Sequence, residues 1–104
     1  MAFQSNFQSE DIDALFDAIL SLKDREECYR FFTDACTINE IRSIAQRLAV
    51  AKLLAEGDTY SEIEDKTKAS TATISRINKC LLYGADGYRI VLERMGVLKK
   101  DAEK

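Results

Sequence analysis

The 104-residue sequence contains no histidine and no proline, only four glycines and only three cysteines. Each shortage excludes something. Without histidine, and with no CxxC pair among Cys28, Cys36 and Cys80, a zinc site is not expected. An odd number of widely spaced cysteines does not build a disulfide framework, so buried, reduced thiols are expected. The missing prolines and scarce glycines remove the usual helix breakers and turn formers, which favours long helices over strands. No apolar run approaches the roughly 20 residues of a membrane span, and the N-terminus has no charged-then-apolar signal pattern. A cytoplasmic protein with no membrane partner is expected. The chain also lacks a carboxylate pair in an apolar setting, a glycine-rich phosphate loop and a nucleophile elbow. Neither catalysis nor a cofactor is expected.

What remains is ordinary globular composition, 46% hydrophobic and 32% charged. The length suits one domain, of a size at which dimerisation adds useful stability. The net charge of −3 is unevenly spread. Residues 1–40 carry three Lys and Arg against nine Asp and Glu, whereas residues 41–104 carry twelve against nine. An acidic association arm followed by a more basic nucleic-acid-binding half would have this distribution, and so would a solvated charge mosaic.

Six helices and no strand are read along the chain. Residues 1–8 form an arm whose apolar handles are Phe3 and Phe7. Ser9 caps a first helix with the stripe Ile12, Leu15, Phe16, Ile19, Leu20 and Leu22. Asp24 and Glu27 open a second, aromatic-rich helix carrying Cys28, Phe31, Phe32 and Ala35. Thr37 and Glu40 open the longest helix, from about Ile38 to Glu56, with Ile41, Ile44, Ala45, Leu48, Ala51 and Leu54/Ala55 turned inward. Gly57 ends it as the residue just past the cap. A last helix around Tyr88–Met95 stops at Gly96, and residues 97–104 form a charged tail. Residues 9–96 make the folded domain.

The most informative stretch is 59–82. Thr59 and Glu62 form a capping box for a short helix anchored by Ile63, and Thr67-Lys68-Ala69 makes a tight turn. Ser70 caps a second helix with Ile74, Ile77 and Leu81 on one side. Its other side shows Thr71, Thr73, Ser75, Asn78 and Lys79. Two short helices so joined, with small polar side chains outward, fit a helix-turn-helix that reads the major groove. Capped amphipathic helix pairs also occur in helical proteins that never touch DNA.

The run Cys36-Thr37-Ile38-Asn39-Glu40, then Arg47, Leu53-Leu54-Ala55-Glu56-Gly57 and Ala72-Thr73-Ile74-Ser75-Arg76, resembles the tryptophan repressor family, and within it the repressor-related YerC/YecD branch. The likeness spans about two-thirds of the chain. It implies an all-α, six-helix subunit in an intertwined homodimer, with reading helices entering a double-stranded operator. Thr71, Ala72, Thr73 and Ser75 match the reading head, and Lys66, Lys68 and Lys79 are the phosphate candidates. Arg47 and Arg76 match the arginines that sandwich an effector, Thr37 a threonine near its amino group, and Cys80 a pocket serine. Ile77 stands where the tryptophan binder has a glycine, so the implied effector is a small anion other than tryptophan, or none. Ser61 and Glu64 replace an arginine and a DNA-contacting lysine, which implies a different operator. The reading is a DNA-binding regulator that represses transcription, and the alternative is a helical dimeric interaction module with a vestigial helix-turn-helix.

Overall fold

The computed structural model describes residues 5–98. Among them are six helices and no strand: α1 (Glu10–Leu20), α2 (Arg25–Ala35), α3 (Ile38–Ala55), α4 (Tyr60–Thr67), α5 (Thr71–Tyr83) and α6 (Gly87–Arg94). The all-α expectation holds. The chain divides into two compact units after Ile38. Of the expected arm, Phe3 lies outside the described residues, and Phe7 is exposed.

In the first unit the local signals act as their chemistry dictates. Ser9 Oγ accepts the Ile12 N–H at 3.2 Å, and Asp24 Oδ1 accepts the Glu27 N–H at 2.9 Å. Glu27 reaches back one residue further than a capping box requires and takes the Lys23 N–H at 2.8 Å. Phe31 and Phe32 sit edge to face with ring centroids 5.2 Å apart. Yet neither helix buries a single residue. Leu15, Phe16, Leu20 and Tyr29 are all exposed.

The second unit has its own core: Val50 and Ala51 of α3, Ile63 of α4, Ala69 of the turn, Ile74 and Ile77 of α5, and Leu92 of α6. Expectation and structure differ along α3. Ala51 is buried as expected, but Ile44 is 58% exposed, Ala45 is exposed, and the unanticipated Val50 is fully buried. This helix carries apolar residues around most of its circumference, so periodicity alone does not choose a face.

Helix ends set the geometry of the second unit. Gly57, at φ 94°, ends α3 in a Schellman motif: its N–H bonds Leu54 O, and the Asp58 N–H bonds Leu53 O, each at 3.1 Å. At the far end of α5, Gly84 lies so close to the preceding turn that a Cβ there would sit 2.4 Å from the Cys80 carbonyl oxygen. Helix α5 therefore runs through Tyr83, one residue past the expected boundary, and the break is confined to Gly84–Asp86. Arg89 then donates to the Leu81 carbonyl at 3.2 Å, tying α6 to α5. Of the expected tail, Val97 and Leu98 pack half-buried on the core, and residues 99–104 lie outside the described residues. The buried-thiol expectation fails too: Cys28 and Cys80 are exposed and Cys36 is half-buried. Cys28 belongs to a helix with no buried residue, and Cys80 to a flank of α5 that opens onto a cleft.

Candidate nucleic-acid interface

The helix-turn-helix is built as its sequence requires. Thr59 Oγ1 accepts the Glu62 N–H, and Glu62 Oε1 accepts the Thr59 N–H, a closed capping box at the start of α4. Lys68 caps α4 in the left-handed region at φ 62°, which turns the chain in one residue. The turn is braced by Thr67, whose hydroxyl donates to Ile63 O at 2.7 Å and accepts the Ala69 N–H at 3.1 Å. The Gln46 amide donates to Thr67 O at 3.0 Å, holding the turn to α3. Ser70 then caps α5 by accepting the Thr73 N–H at 3.1 Å.

At roughly 100° per residue, the buried Ile74 and Ile77 fix the inner side of α5. Ala72, Ser75, Arg76 and Lys79 fall opposite, and Ala72, Arg76 and Lys79 are exposed. Thr73 and Asn78, expected on that outer side, lie on its two flanks and are half-buried. Thr73 lines a cleft toward α3 and α6, whereas Asn78 lines a recess with Leu54 and Arg89. Thr71 is exposed at the first turn, and its hydroxyl donates to the carboxylate of Glu64 on α4.

The expected phosphate contacts are not equivalent. Lys68 and Lys79 are exposed. Lys66 donates to Asp58 Oδ2 at 2.8 Å, and this bond, with the Asp58 charge, raises the ammonium pKa above its ordinary value. A phosphate on Lys66 therefore competes with a carboxylate already in place.

The effector candidates Arg47, Arg76 and Cys80 share one cleft of about 240 Å³ with Thr73, Ile77, Ser43, Gln46 and Tyr88. Ile77 contributes from the core, of which it is a buried member. An adjoining apolar cavity of about 480 Å³, lined by Ile44, Leu48, Ala85, Gly87 and Val91, shares Arg47, Cys80 and Tyr88 with it. Desolvation pushes the Tyr88 phenol above its ordinary pKa; Cys80 adds to the shift and the Arg47 charge opposes it. Two guanidinium groups with the hydroxyls of Ser43, Thr73 and Tyr88 nearby can take a carboxylate or phosphate. The cleft is smaller than the roughly 300–1,000 Å³ typical of drug-sized sites, which fits a small anion. Thr37, exposed just before α3, belongs to the first unit. Ser43 and Tyr88 are cleft residues that the sequence reading missed. Ser43 is one helical turn before Arg47, a spacing that could have identified it; nothing local marks Tyr88.

Among the described residues no group of three or more His, Cys, Asp or Glu could hold a metal ion, and no helix is long and apolar enough to cross a membrane.

Comparison with known proteins agrees with this architecture. The Trp repressor protein family matches residues 10–96. The uncharacterized protein YerC of Bacillus subtilis (strain 168) is 61% identical over 88 residues, covering 85% of each chain. A Trp repressor candidate from Staphylococcus aureus superimposes with a TM-score of 0.84 at 52% identity, covering 89% of this chain and 93% of its own. A TrpR-like protein from Eubacterium eligens ATCC 27750 gives a TM-score of 0.84 at 58% identity, covering 89% and 96%. This chain belongs to the Trp repressor family, whose members are DNA-binding regulators and not enzymes.

Proposed function

We propose that the protein is a sequence-specific transcriptional repressor that acts in the cytoplasm as a homodimer on a near-palindromic operator. The observation that carries this reading is the exposed outer side of α5. It is capped by Ser70, backed by Ile74 and Ile77, and presents Ala72, Arg76 and Lys79 to solvent. Thr71, Ala72 and Ser75 are the base-contact candidates, and Thr73 stands between the reading turn and the cleft. Lys68 and Lys79 supply phosphate contacts, with Lys66 a weaker third because of Asp58.

Dimerisation is supported by the apolar surface left uncovered in the single chain, where Leu20 is 81% exposed and Tyr29 70%. Two copies would set two reading helices about one turn of DNA apart, roughly 34 Å. A small anion between Arg47 and Arg76 would brace α5 against α3 and bias the population of reading-helix angles toward the spacing that DNA requires. The roles of Thr37 beside such a ligand, and of Cys80 in place of a serine, rest on the family resemblance.

The test is selection from a random DNA pool with the purified protein at physiological salt, without and with a metabolite extract. One palindromic motif in either arm is the expected result. Salt-sensitive binding with no motif in both arms would instead support a helical interaction module with a vestigial helix-turn-helix.

A further inference from the structure

We propose that Glu64 is a specificity-determining residue. By holding the Thr71 hydroxyl proton, it makes the first turn of α5 a hydrogen-bond acceptor, so that the operator base opposite Thr71 is cytosine or adenine and guanine is rejected. The inference rests on the reading of α5 as a major-groove helix.

A threonine hydroxyl has one proton to donate and two lone pairs with which to accept. That proton is committed in this structure, because Thr71 Oγ1 donates to Glu64 Oε2. Glu64 is well placed to keep it. It is half-buried in the last turn of α4, its carbonyl accepts the Lys68 N–H at 2.8 Å, and α4 packs directly on α5. Thr71 is exposed, so the lone pairs and the methyl group remain for the groove. Major-groove chemistry then discriminates. Cytosine offers the N4 amino group and adenine the N6 amino group, both donors, whereas guanine offers only the N7 and O6 acceptors. Against guanine, the Thr71 lone pairs meet lone pairs, and the Glu64 carboxylate behind them deepens the repulsion.

The neighbouring hydroxyl pair carries the opposite polarity. Ser70 Oγ donates to Thr73 Oγ1 at 3.1 Å, so Thr73 is already an acceptor and keeps its own proton. The capped start of α5 therefore faces outward as an acceptor at Thr71 and retains a spare donor at Thr73. That donor lies on the cleft flank, where it can serve a bound anion instead of a base.

The proposal is tested by selecting sequences from a random DNA pool with the wild-type protein, Glu64→Gln and Thr71→Val, and comparing base preferences position by position. The wild type should exclude guanine at one position of each half-site by about five- to a hundredfold, the range of one mismatched base pair. Glu64→Gln supplies an amide that can donate, which frees the Thr71 hydroxyl to rotate. Guanine exclusion there should fall below about threefold while the other positions hold. Thr71→Val should erase the cytosine or adenine preference at the same position. If Glu64→Gln binds every sequence more tightly with an unaltered preference, Glu64 acts only as a repulsive charge on phosphates and the proposal is wrong. It is equally wrong if the wild type accepts guanine throughout its motif. If the wild type selects no motif either without or with a metabolite extract, sequence-specific reading itself fails, and this inference with it.

Discussion

The two units of this chain answer the same physical problem differently. The unit from Asn39 onward draws α3, α4, α5 and α6 around Val50, Ile63, Ile74 and Leu92, each with no exposed area. The unit up to Ile38 has two well-capped amphipathic helices and, among its described residues, no buried one. Capping and amphipathic patterning are therefore not what separates a self-supporting helical unit from one that is not, since both units have them. The difference is whether the apolar stripes meet within one chain. Where they do, the chain itself holds α5 at a defined angle. Where they do not, Leu15, Phe16, Leu20 and Tyr29 stay exposed, an arrangement suited to a surface completed by a second copy.

The largest effect should follow from attacking the core of the self-supporting unit. Ile74→Ala removes a fully buried side chain at the centre of the helix-turn-helix and should cost about 2–5 kcal/mol. For a domain of this size that lowers Tm by roughly 4–8 °C per kcal/mol, readable by circular dichroism. A loss below about 1 kcal/mol would mean that the second unit does not depend on its own core, and the contrast between the units would collapse.

A different readout should respond in the first unit. Phe16 is 45% exposed on α1. Phe16→Asp should therefore leave the fold of the second unit intact while weakening association. If Phe16 anchors the dimer, the expected cost is about 2–4 kcal/mol, or roughly thirty- to a thousandfold in the dissociation constant. Sedimentation across a dilution series measures it. An unchanged dimer would show that α1 is not the association surface, and a large loss of helix content would show that the exposed stripe is structural within one chain.

This contrast also explains what could be read from the amino acids alone. Short-range chemistry was legible: the capping box of Thr59 and Glu62, the cap at Ser70, the turn at Thr67-Lys68-Ala69 and the stop at Gly57 all form between residues no more than five apart in sequence. So was the inner side of α5, because Ile74, Ile77 and Leu81 recur at helical spacing and Ile74 and Ile77 are buried. Facing was not legible where a helix is apolar nearly all round, which is why Ile44 was expected inside and Val50 was not. The cleft was half legible. The family resemblance pointed to Arg47, Arg76 and Cys80, but Tyr88 reaches it from α6, a placement that depends on tertiary packing. By polarity alone Thr73 reads as an outer-side residue. The helical period turns it toward the cleft instead, and polarity alone cannot distinguish these two destinations.

The smallest expected effect lies inside the self-supporting unit, at the left-handed residue that caps α4. Lys68 adopts φ 62° with a full side chain, a conformation that costs roughly 1–2 kcal/mol more than it would for glycine. Glycine recovers that strain but loses about 0.5–1 kcal/mol to the greater freedom of the unfolded chain. Lys68→Gly should therefore raise stability by no more than about 1 kcal/mol, measurable by urea denaturation. The same change removes an exposed cation beside the reading helix. If Lys68 meets a phosphate, affinity should fall equally for all DNA sequences, and the slope of log affinity against log salt should shrink by about 1. Stability and binding would then move in opposite directions in one variant. A protein that became more stable with its salt slope unchanged would leave Lys68 as a strained turn residue alone, with Lys79 and Lys66 to carry the phosphate contacts.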